Sequence, residues 1–140
     1  MMFLLLNSST PCISTKACVC LSRALEDDRL AAKDIVVGRV LRTRMVPGPA
    51  GYPEQEAVLL VTATWKGAAL RDTLTVRDIA PGSDCSVGLI ENWFVLVFTR
   101  HESGRVLAQS CRRSRPVDIL ARGALDSLGP PRAGQVEEND

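Results

Sequence analysis

Aromatic residues make up only 4% of this chain, and histidine occurs once, at position 101. With one imidazole, no G-x-S-x-G, no H-E-x-x-H and no glycine-rich phosphate loop, the sequence offers no nucleophile with an evident base and no cradle for a nucleotide. It does not read as an enzyme, and it implies no cofactor of its own. His101 falls in a stretch that reads as a turn and is expected to be solvated. Seventeen Lys and Arg against sixteen Asp and Glu leave a formal charge of +1, which points to neither nucleic acid nor an anionic membrane surface. So few aromatics also fail to supply a stacking platform for single strands. No stretch after residue 20 stays apolar for the ~20 residues that a spanning helix needs. With 46% hydrophobic and 24% charged residues, 140 residues suffice for one core, so one domain is expected.

Cysteine is present in an odd number, at positions 12, 18, 20, 85 and 111. The count becomes even if Cys12 leaves with a targeting segment: Met1–Leu6 is apolar and the small Ala17 directly precedes Cys18. Residues 1–17 are therefore expected to be removed, giving a secreted, extracellular protein, or a periplasmic or cell-surface one in a bacterium. Cys18-Val19-Cys20 cannot readily close on itself, because alternate residues of an extended segment point the same way. Each cysteine needs a distant partner, and Cys85 and Cys111 are available. Lipidation of Cys18 would call for a small or apolar residue where Lys16 stands, and a zinc site made by the four thiolates would call for paired C-x-x-C spacing. Free thiols in a cytosolic protein are the other reading.

Ser22–Asp34 reads as a short, largely solvated helix with Ser22 as N-cap and Asp27-Asp28 at its positive end. Ile35–Arg44 is rich in β-branched residues and reads as a strand in which Gly38 predicts a bulge. Val46–Pro53 holds three prolines and two glycines and reads as a protruding loop. Glu56–Lys66 alternates, with Ala57, Leu59, Val61, Ala63 and Trp65 on one face, and Asp72–Ile79 predicts a further half-buried strand. Asn92–Arg100 is almost continuously apolar, which predicts a strand covered on both faces, with Trp65 and Trp93 in the core. A turn at residues 101–104 returns the chain through Arg105–Cys111, and Ser114–Leu128 has the spacing of an amphipathic helix. Residues 130–140 read as a flexible polar tail. Five strands between two helices predict a mainly β fold, a small antiparallel barrel of OB-like type, with a sandwich as the second architecture.

The Cys18-Val19-Cys20 start, the strand beginning Lys33-Asp34-Ile35-Val36-Val37-Gly38, Trp65-Lys66-Gly67, Cys85, the strand Trp93–Phe98, and Cys111 followed by a helix resemble the tissue inhibitors of metalloproteinases and the wider netrin-like family, including its single-domain bacterial members. The resemblance covers Cys18 to about Leu128, and residues 18–129 are expected to form the domain. It implies an OB-fold barrel stapled by Cys18–Cys85 and Cys20–Cys111, each bridge closing a long loop worth about 4 kcal/mol in the chain-entropy account. It further implies that the free amine and carbonyl oxygen of Cys18 chelate the catalytic zinc of a target metalloproteinase, displacing its water. Val19 would enter the protease's specificity pocket, and Cys20, Ser83 and Asp84 would complete the ridge, with Val46–Pro53 as an accessory contact. The expected function is thus inhibition of a metalloendopeptidase by a monomeric secreted protein. The alternative is a netrin-like module that binds another extracellular protein without zinc chemistry.

Overall fold

The computed structural model describes residues 24–49, 51–110 and 113–140. Strands β1 (Ile35–Pro47) and β2 (Pro53–Lys66) form a long antiparallel hairpin paired from Ile35↔Lys66 to Pro47↔Pro53. They are followed by β3 (Thr73–Asp78), β4 (Phe94–Glu102) and β5 (Arg105–Ala108). β1 pairs with β2 and with β4, β2 with β3, β3 with β5, and β5 with β4, so these five strands close into a ring. One pairing, Arg77↔Leu107 between β3 and β5, is parallel. The all-antiparallel arrangement expected from the sequence cannot close here: strand direction cannot alternate without a break around a ring of five.

Alternation sorts residues between two apolar clusters, but the β2 face expected to hold Ala57, Leu59, Val61, Ala63 and Trp65 together divides: the first three enter one cluster, and Ala63 and Trp65 join the other. Val36, Val40, Leu59, Val61, Val76 and Val97 belong to one fully buried cluster. Their neighbours Ile35, Val37, Leu96 and Phe98 join Val117 and Leu128 in a second cluster. β1 and β4 are therefore covered on both faces, which accounts for their near-continuous apolar runs. The bulge expected at Gly38 is present, as a register shift between Val37 and Gly38. A Cβ there would come within 2.9 Å of the Leu59 Cβ, so only glycine lets the two strands approach this closely. The β4–β5 turn is shorter than expected: His101 and Glu102 continue β4, and Ser103-Gly104, both at positive φ, make the two-residue turn. Strand pairing likewise shortens the proline-rich loop, since Pro47 and Pro53 belong to the hairpin ends.

The flanking helices differ more. The first, α1 (Leu25–Ala31), is shorter than the expected span, and Ser22 lies outside the described residues. Asp28 is not solvated but 2% exposed. The expected helix Ser114–Leu128 opens instead as a strand, β6 (Arg115–Pro116), on the edge of β4, where Pro116 suits a position that needs no further donor. The Asp118 carboxylate then accepts from Leu120 N and Ala121 N, starting a 3₁₀ turn (Ile119–Ala121) that leads into α2 (Arg122–Leu128). Residues 130–140, expected to fray, lie along the ring: β7 (Ala133–Gly134) pairs with Ala63 and Thr64 of β2. The Asn139 side chain brackets Phe94, accepting from its N–H at 2.6 Å and donating to its carbonyl at 2.8 Å. Trp93, expected in the core, precedes β4 and is 38% exposed.

Candidate functional site

Asp78, the last residue of β3, organises the loop that carries Cys85. Its buried carboxylate accepts from Ala80 N at 3.1 Å, Ser86 Oγ at 2.9 Å and Val87 N at 3.0 Å. Three donors satisfy a charge that burial would otherwise make costly. Within the loop, Ser83 Oγ donates to Ala80 O at 2.7 Å and accepts from Cys85 N at 3.1 Å. Val87 and Leu89 return the chain to the core, and Gln55 Nε2 donates to Leu89 O at 3.0 Å. Past them, the backbone of Asn92 and Trp93 bonds both polar groups of Val40. From Asp78 to Trp93 the chain is thus tied to the ring at short intervals, making a shaped ridge.

Cys85 takes part in a disulfide. The other expected bridge residues, Cys18, Cys20 and Cys111, together with Val19 and Cys12, lie outside the described residues. Of the expected ridge, Ser83 is half-buried with its hydroxyl committed inside the loop, and Asp84 is exposed beside Cys85. The proline-rich hairpin tip displays Tyr52, 71% exposed, and Met45, 56% exposed. No group of three or more His, Cys, Asp or Glu arranged to hold a metal ion occurs among the described residues. His101 is exposed at the end of β4, with Nε2 3.9 Å from an oxygen of Asp34.

Two acidic sites carry no local sequence signal. Asp28 on α1 binds Arg113 Nε and accepts from Gln109 Nε2 at 3.2 Å, coupling the helix to the chain just before and after Cys111. Glu54, 5% exposed at the start of β2, pairs with Arg105 at 2.5 Å and Arg77 at 3.1 Å. Burial pushes the Glu54 carboxyl up, but hydrogen bonds and charge from the two arginines together outweigh it and hold the group below its ordinary value. Neighbouring Glu56 is lowered chiefly by its hydrogen bond from Arg44.

The Trp65-Lys66-Gly67 motif binds the helices to the ring. The Trp65 indole N–H donates to Gly129 O at 2.9 Å, and Lys66 Nζ donates to Arg29 O and Leu30 O at the end of α1. Gly67, at φ +81, lies against Asp34, whose carboxylate accepts from Ala68 N at 2.9 Å. A cleft of about 630 Å³ lies between β2, α2 and the C-terminal segment, lined by Trp65, Leu125 and Val136 with Arg122 and Glu138 among its polar residues. None of its lining residues belongs to the Cys85 loop. A scan against protein-family models and a search of curated proteins each found no match to this chain.

Proposed function

We propose that this chain is a secreted netrin-like protein of the tissue-inhibitor type, an OB-like barrel that inhibits a zinc metalloendopeptidase through the free amine and carbonyl of Cys18. The observation that supports this reading most is the closed order β1-β2-β3-β5-β4 with a single parallel seam, which fits a five-stranded Greek-key barrel. The disulfide at Cys85 adds to it, because the reading calls for a bridge at this residue. In this reading Cys18–Cys85 and Cys20–Cys111 pin the N-terminal segment beside that ridge, with Val19 entering the protease's specificity pocket. Preorganisation by two bridges lowers the entropy cost of docking.

Exposed Asp84 favours a second reading, a netrin-like module that holds another extracellular protein without zinc chemistry. Its carboxylate would meet the catalytic carboxylate of a metalloproteinase, a like-charge approach. The test is the mass and N-terminal sequence of the secreted protein, followed by inhibition assays on zinc metalloendopeptidases with the chain beginning at Cys18 and with one alanine added before it. The inhibitor reading expects inhibition by the first and loss of at least ~100-fold for the second, whose acylated nitrogen no longer binds metal. Equal potency of the two, or a secreted chain that retains residues before Cys18, excludes it. Capture of a secreted partner by both forms alike would support the second reading.

A further inference from the structure

The C-terminal segment fills a strand-addition site. The β3 ladder ends at Thr73↔Leu60, and the chain before it, Arg71 and Asp72, still bonds both backbone groups of Val61, so the β2 edge from Thr62 onward needs another partner. Residues 132–135 supply it: Arg132 N donates to Thr64 O at 2.7 Å, Gln135 N donates to Thr62 O at 3.3 Å, and Ala133-Gly134 pairs with Ala63-Thr64. The site is selective. At Gly134, φ +85, an added Cβ would collide with Thr62 O and come within 2.7 Å of Leu70 Cδ2, so the occupant must carry glycine at that register position. The segment reaches the edge through Gly129-Pro130-Pro131, where Gly129 holds φ 76 and ψ −169, a conformation essentially reserved for glycine. A second anchor, the two-point pair between Arg122 and Glu138, is exposed on both sides.

We propose that the 132–135 segment exchanges between two copies of this chain, each inserting it into the β2 edge of the other. Residues 132–135 are the segment known to meet the glycine requirement, and an identical copy meets it equally well. Exchange keeps every contact at the edge and alters only the hinge, where two consecutive prolines already favour extended backbone and a short connection invites swapping. The partner is therefore a second copy, and this inference does not rest on the inhibitor reading.

The test mixes two differently isotope-labelled preparations of the full chain, warms them together at high concentration without reductant, cools them and separates them by size. The expected product is a dimer that persists on dilution and shows isotope-filtered contacts between Ala63 of one copy and Gly134 of the other. Gly129→Ala, which makes the closed hinge costly, should raise the dimer-to-monomer ratio by roughly tenfold, and Gly134→Val should abolish the dimer. Monomer alone after warming, or a dimer whose yield is unaffected by Gly134→Val, overturns the proposal. Should Gly129→Ala fail to fold, the mixing of wild-type copies decides by itself.

Discussion

Three acidic residues carry much of the specificity at the residue scale, each holding together segments far apart in sequence. Asp28 joins α1 to the chain around residues 109–113 from a position that is 2% exposed. Asp28→Asn replaces a charge-assisted contact with a neutral one beside an Arg113 that keeps partial access to water, at a cost of about 1–3 kcal/mol. The urea midpoint should fall with an unchanged slope, and an unmoved midpoint would place the pair among those that contribute nothing. Glu54 and Glu56 make a pH prediction. Both carboxyls are held below the ordinary value of 4.5 in the folded chain, so their stabilisation is fully present above that pH. It is lost as pH falls below 4.5 through the folded values, where the unfolded chain already binds the protons. Glu54→Gln should be less stable than wild type near neutrality, and the gap should narrow in acid when unfolding is followed from pH 7 downward. A gap that stays constant with pH would remove Glu54 from the acid response.

Elements were legible in the sequence wherever one periodicity dominated. β2 announced itself by strict alternation and β4 by its unbroken apolar run, and both formed close to the expected spans. The helices were less legible, because their limits depend on partners distant in sequence. Ser114–Leu128 has good helical spacing, yet the open edge of β4 recruits Arg115-Pro116 as a strand and delays the helix to Asp118. The polar C-terminal segment gave no sign of its strand, since β7 is short and is selected by the vacant β2 edge. In the candidate site, Cys85 and its neighbours stood out in the sequence, whereas the carboxylate that shapes their loop, Asp78, read only as the end of a strand. Trp65-Lys66-Gly67 has a structural explanation that the sequence alone did not supply: it ties α1, α2 and Asp34 to the end of β2. Gly67→Ala would force a Cβ into the Asp34 carboxylate at a positive φ, at a cost of about 1–3 kcal/mol. Thermal unfolding should register the loss, and hydrogen exchange should quicken first at Ala68 N, the donor to Asp34.

At the scale of the whole molecule, the ring separates two apolar regions. Leu59 belongs to the cluster with Val36, Val61 and Val97, while Phe98, 1% exposed, packs in the one that carries Ala32, Val117 and Leu128 from the flanking segments. β4 belongs to both, because Val97 and Phe98 point to opposite faces of one strand. Truncation on either face should therefore cost similar energy but release different parts of the chain. Leu59→Ala is expected to cost about 2–5 kcal/mol and Phe98→Ala about 3–5 kcal/mol in chemical denaturation. Hydrogen exchange under native conditions should separate them: Phe98→Ala should lower protection in α1, α2 and the 132–139 segment before the ring opens, whereas Leu59→Ala should lower protection throughout β1–β5. If both variants lost protection uniformly, the outer layer and the ring would form one cooperative unit. Exchange of the C-terminal segment between copies would then require unfolding of the whole domain, and its rate should fall to that of global unfolding.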